Sequence, residues 1–199
     1  MTRIQVARKS YLALVHHPVY DKHGKVVATS ITNLDIHDIA RSSKTYGLAG
    51  YFIVHPVSAQ RELARRILGH WQDGPGQEQN EFRSSALSTV RVVASLEEVT
   101  AQITSEQGRA PLVAATTART QGEDQREAIA TRRLVNDTEL VERPLLLLFG
   151  TGWGLAKEIM ERTDRLIEPI RGPSDYNHLS VRSAAGIILD RLFGEPEHD

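Results

Sequence analysis

Apolar residues recur with two periods along this chain, and the switching between them predicts its elements. Short apolar runs at 11–16, 51–54, 90–94, 112–116, 145–149 and 166–170 are bounded by turn residues and fit strands buried on both faces. Between them the spacing changes to that of helices, predicted at about 35–46, 58–71, 96–106 and 155–162, with a last helix from 181. Thr32 and Asp35 stand at capping-box spacing before the first of these, and Gly47 ends it. The second carries an apolar stripe of Leu63, Ile67, Leu68 and Trp71, with Arg61, Arg65 and Arg66 facing outward. Residues 72–88 read as a loop or frayed insertion, and 118–143 as a polar connection with a short helix near 127–135. Alternation of strand and helix predicts an α/β fold, a mainly parallel sheet with helices on both faces, as one domain over 1–199.

Composition narrows the classes. With 24 Lys and Arg against 25 Asp and Glu, a bulk-basic nucleic-acid binder is not indicated, although a local basic face is compatible with that balance. The absence of cysteine removes disulfide scaffolds and thiol chemistry. No apolar run approaches the roughly 18 residues of a membrane span, and residues 1–10 do not form a signal peptide, so a cytoplasmic location is expected.

Ligands of parallel α/β sheets bind beyond the carboxyl ends of the strands. The strongest such end is 145–155, where five apolar residues closing on Phe149 run into Gly150, Thr151, Gly152, Trp153, Gly154 and Leu155. Alternate glycines permit positive φ and close approach of a ligand, and they also fit a plain structural turn. A dinucleotide fingerprint, with Glu168 as ribose acid, is weighed against this; its third glycine is missing, and such a fingerprint opens its domain rather than closing it. A phosphate loop of the Walker type lacks its Lys-Ser or Lys-Thr pair. Two further strand ends converge on the same edge, Thr116 onward and Ile170 to Ser180. His16 and His17 end the first strand, and Asp35, His37, Asp38 and Arg41 crowd the first two turns of the helix near 35–46, either as a site or as a solvated face.

Taken together, three segments resemble the SPOUT, or α/β-knot, family of S-adenosylmethionine-dependent RNA methyltransferases. Asn33 to Gly47 with Arg41 is similar to its first motif, Leu145 to Leu155 to its second, and Pro169-Ile170 followed by His178, Leu179, Ser180, Val181 and Arg182 to its third. Ser180 and Arg182 stand where that motif has asparagine and its second serine, and Trp153 where the second motif often has glutamate. Asp-Ile-His-Asp-Ile-Ala-Arg at 35–41 and Phe-Gly-Thr-Gly-Trp-Gly at 149–154 resemble a divergent bacterial subgroup.

The resemblance implies a C-terminal trefoil knot, an exception to unknotted topology, with S-adenosylmethionine held by Thr116, Phe149 to Leu155, Ile170 and Tyr176, Asn177, His178, Leu179 and Ser180. It implies a homodimer in which the first-motif arginine approaches the partner's cofactor. It further implies methyl transfer to a base or ribose of tRNA or rRNA, with Arg41, Asp38, Asp35 and His37 as catalytic candidates, His17 as another possible base, and Asn33, Arg41, Arg119 and Arg182 on the RNA. Trp153 and Tyr176 are candidates for stacking on a base or on adenine. The competing expectation is a non-catalytic module that binds an adenosyl ligand or RNA in the same pocket.

Overall fold

The computed structural model describes residues 2–74, 76–118, 127–174 and 176–195. In chain order the elements are α1 (Arg3–Ala7), β1 (Ser10–Val15), β2 (Val19–Tyr20), β3 (Val26–Val27), α2 (Asn33–Thr45), β4 (Gly50–Val54), α3 (Ser58–Gln72), α4 (Gly76–Gln79) and α5 (Glu81–Leu87). They continue with β5 (Val90–Val93), α6 (Leu96–Gln107), β6 (Leu112–Thr116), α7 (Thr131–Leu134), a 3-10 turn (Thr138–Val141), β7 (Leu145–Gly150), α8 (Lys157–Met160), β8 (Arg165–Ile167) and α9 (Val181–Phe193). Six strands form one sheet in the order β5-β4-β1-β7-β6-β8, every pairing parallel, while β2 and β3 make a separate small hairpin.

The continuous apolar runs are explained by the position of their strands. β1, β4 and β7 lie inside the sheet, so successive side chains must both be buried. Leu12, Leu147 and Ala114 share a register row and face α2, α3, α5, α7 and α9; Ala13, Leu148 and Ala115 form the next row and face α6 and α8. Each fully buried leucine contributes roughly 1.5–3 kcal/mol. The sheet is thereby a rigid platform, and its carboxyl edge places the loops after β1, β6, β7 and β8 side by side.

Several expected boundaries shift. The stretch 72–88 is not a loop: it holds α4 and α5, and α5 buries Ala86 and Leu87 while Asn80 caps it by accepting from the Arg83 amide at 2.9 Å. Helices this short depend on tertiary packing rather than propensity, so their periodicity is illegible. The 155–162 helix reduces to one turn, β8 ends at Ile167, and α7 covers only part of 127–135. Leu63 is partly exposed, the buried stripe of α3 being Ala64 and Leu68. Arg61 donates to the carbonyl of His55 and Arg65 to that of Val92, so the outward basic face of α3 is partly spent on the backbone.

Candidate functional site

At the end of β7 the chain turns sharply, with φ of +58° at Gly152 and +100° at Gly154. A Cβ on Gly152 would meet the Tyr20 carbonyl at 2.8 Å, and one on Gly150 would meet the Leu155 amide at the same distance. These two glycines therefore accommodate close approach of the protein's own backbone, as the structural-turn reading expects. The amide of Thr151 donates to Val15, that of Trp153 to Tyr20 and that of Ala156 to Pro18, stitching the turn onto the segment after β1. Leu155 is buried in the core beneath and does not line the cleft.

Below the turn runs a chain of short contacts. The Thr151 and Thr29 hydroxyls lie 2.5 Å apart, and Thr29 Oγ1 is 3.1 Å from His16 Nδ1. His55 donates from Nε2 to the Thr29 carbonyl and accepts at Nδ1 from the Val57 amide, which assigns its tautomer. His16 is fully buried, and its Nε2 has no hydrogen-bond partner. Burial, then the neighbouring His55, lowers its pKa to about 4, so it is neutral near pH 7. The two histidines thus serve as uncharged supports for the turn, and His17 does not line the cleft.

Opposite, Asn177 Nδ2 donates to the Ala118 carbonyl at 2.8 Å, which ties the loop after β8 to the chain leaving β6. Ser180 caps α9 by accepting from the Ser183 amide. Trp153, His178 and Tyr176 meet edge to face along the mouth, at 6.0 and 5.5 Å between ring centroids; Tyr176 is exposed and stands outside the lining. Arg182, expected on RNA, pairs with the buried carboxylate of Asp35 at 2.8 Å and with Asp38 at 3.4 Å. The result is a cleft of about 1050 Å³ whose walls include Thr116, Phe149 to Gly154, Ile170, Asn177 to Ser180, Asp35 and Arg182. Three strand ends predicted to converge do so.

A family model described as SAM-dependent RNA methyltransferase matches residues 9–194. The chain belongs to that family. A tRNA (guanine-N(1)-)-methyltransferase of Oleidesulfovibrio alaskensis is 48% identical over 97% of the chain, which spans only 44% of that relative's length. An uncharacterized protein of Aquifex aeolicus is 39% identical, with 98% of this chain and 94% of that one covered. TrmJ from Z. mobilis has the same fold, with a TM-score of 0.59 at 17% identity over 94% of this chain and 69% of that one, and SpoU methyltransferases are among other solved structures that share it.

Within this family member, the first-motif helix α2 divides the expected catalytic residues between two places. Asp35 faces the cleft, whereas Asn33, His37, Asp38 and Arg41 line a neighbouring groove of about 710 Å³ between α2, α3 and α5. His37 stands about 200° and Arg41 about 240° around the helix from Asp35, so both turn away from the cleft, whereas Asp38, one turn on, sits at the boundary, where Arg182 reaches both carboxylates. Arg119 lies outside the described residues. Missed by sequence were Thr29 and Ser30, on the cleft wall; the small polar run Thr29, Ser30 and Thr32 ahead of α2 is the signal that pointed there. No helix among the described residues is long and apolar enough to cross a membrane.

Proposed function

We propose that this chain, acting as one SPOUT-like unit over residues 1–199, transfers a methyl group from S-adenosylmethionine to structured RNA in the cytoplasm. The observation that carries the reading is the convergence of the ends of β6, β7 and β8 on one cleft in a member of this family. The residues fit the cofactor: the cleft is large enough, combines threonine hydroxyls with an apolar floor at Ile170 and Ile188, and has the Trp153 ring at its mouth. When bound, the cofactor supplies an already activated methyl on a sulfonium.

The chain's own residues then hold, orient and take a proton. Thr116, Thr151 and the loop from Asn177 to Ser180 are suited to the ribose and adenine edges, and Trp153 to the ring face. The tie between Asn177 and Ala118 supports a C-terminal segment passed through the loop after β6, as a trefoil knot requires.

As acceptor we propose N1 of a tRNA guanine, a reading supported by the name of a relative of whose length this chain spans 44%. That nitrogen carries a proton that must leave, so a base is required. Asp35 is the one of the four sequence candidates inside the cleft, and Arg182 orients its carboxylate. His37, Asp38 and Arg41 act on an acceptor only across a homodimer, in which the groove of one subunit borders the cleft of the other. Asn33 and Arg41 then contact RNA, and Arg41 suits phosphate through its planar fork.

The test is transfer of labelled methyl to unmodified tRNA transcripts with nucleoside analysis of the product, beside calorimetric titration with S-adenosylhomocysteine. Formation of 1-methylguanosine, lost in Asp35→Asn with cofactor affinity retained, is the expected outcome. A ribose-methylated nucleoside would overturn the acceptor, and binding without transfer would favour a non-catalytic module. Sedimentation of the intact chain tests the homodimer.

A further inference from the structure

The groove beside the cleft also holds Arg66, His70, Trp71 and Arg83, which the methyl transfer itself leaves without a role. α2 contributes His37 and Arg41, α3 contributes Arg66, His70 and Trp71, and α5 contributes Arg83. Arg83 lies over the Trp71 ring, 4.8 Å from its centroid, while His37 and His70 approach the same indole edge-on at 5.5 and 5.3 Å. Stacking fixes the plane of the Arg83 guanidinium and leaves its N–H edge for an acceptor. Burial, then the charge of Arg83 and less strongly that of Arg41, lowers the pKa of His37, so both guanidinium groups lie within electrostatic reach of one imidazole.

Among the described residues, no carboxylate pairs with Arg41, Arg66 or Arg83 within 4 Å, and the one acid in the lining, Asp38, is engaged by Arg182. Three guanidiniums without a carboxylate partner, gathered in one groove of a chain with 24 basic and 25 acidic residues, concentrate positive charge locally rather than over a general basic surface.

From this we infer that the α2-α3-α5 groove holds the phosphate backbone of the RNA substrate and guides it to the cleft. Trp71 acts as the positioning residue for Arg83. A polymer fits better than a small phosphate, because one helix walls both places: α2 presents Asp35 to the cleft and Arg41 to the groove. Guanidinium planes match phosphate oxygens in pairs, and such contacts set register without reading sequence. The inference rests on the RNA-methyltransferase reading of the cleft and extends it to residues outside it.

The experiment measures binding of unfractionated bacterial tRNA and of S-adenosylhomocysteine to the full chain and to Arg66→Glu, Arg83→Glu, Trp71→Leu and Arg109→Glu. The last makes the same charge reversal at an exposed arginine paired with Glu142, outside the lining of both cavities. Arg66→Glu and Arg83→Glu should each weaken tRNA at least tenfold and lower the slope of log affinity against log salt by about one, with cofactor affinity and thermal midpoint kept. Trp71→Leu should weaken tRNA several-fold, and the effect should vanish in the Arg83→Glu background. An unchanged tRNA affinity, or an equal loss in Arg109→Glu, overturns the groove. So does binding of guanosine monophosphate that depends on Arg66 while tRNA does not. Failure of the wild type to bind S-adenosylhomocysteine would overturn the cleft reading instead, and the two failures are therefore distinct.

Discussion

The cleft and the groove lie on either side of one helix and are made by opposite means. The cleft is shaped by backbone, with glycines admitting a carbonyl, an asparagine tying two loops and neutral imidazoles below; its main charges, Asp35 and Arg182, cancel. The groove is shaped by side-chain charge on three helices, with a tryptophan holding one arginine flat. A backbone-built site is rigid and insensitive to salt, whereas a charge-built one tolerates change of shape and responds to ionic strength. One is suited to a cofactor of fixed form and the other to a polyanion.

The largest expected break falls on the cleft alone. Gly152→Val sets a β-branched residue at φ +58° with its Cβ against the Tyr20 carbonyl, which should cost about 3 kcal/mol in urea unfolding and weaken S-adenosylhomocysteine at least tenfold. Retention of full affinity would show that the turn does not shape the cofactor site.

Acid should separate the two regions next. His16 has a folded pKa of about 4 against an ordinary 6.5, so below pH 6.5 the unfolded chain binds the extra proton. Its contribution is fully present above pH 6.5 and is lost as pH falls toward 4, by about 3 kcal/mol at most. Burial lowers His55 in the same direction. Unfolding measured from pH 7 to 4 should show this decline, and His16→Gln should flatten it.

Asp35→Ala tests the boundary between the regions. It strands Arg182, whose side chain is about one-third exposed, so the cost should be about 2 kcal/mol rather than the larger value of a fully buried pair. Asp38→Ala, at the longer and half-exposed contact, should cost under about 0.5 kcal/mol. Equal costs in chemical denaturation would remove the distinction drawn between the two carboxylates. Ionic strength draws the last distinction: between 50 and 200 mM salt, tRNA affinity should fall roughly tenfold or more and S-adenosylhomocysteine affinity less than about twofold. Parallel losses would mean that both ligands are held by charge.

Much of this was legible in the chain, and the exceptions share a cause. The six buried strands, the capped helix after Thr32 and the Ser180-capped last helix are each written in a contiguous stretch, so periodicity and capping residues reveal them. The cleft was legible because its walls are three strand ends, each announced by its own local signal. The groove was not, since Arg41, Arg66 and Arg83 come from three helices, one of them in a stretch that reads as a loop. The sense of the glycines was also hidden: spacing shows that a side chain is unwelcome at Gly152, and only the fold shows that the Tyr20 carbonyl is the reason.

By itself, then, the sequence determined the parallel α/β architecture, the edge of the sheet where a ligand belongs and the family, because these depend on local periodicity and on motifs contiguous in the chain. Tertiary structure alone decided which face of α2 each polar residue serves, that Arg182 answers Asp35, and that His16 is buried and neutral. Those outcomes depend on contacts between residues distant in the chain, 147 positions for Arg182 and Asp35, and no local pattern carries the burial or the charge that such contacts create.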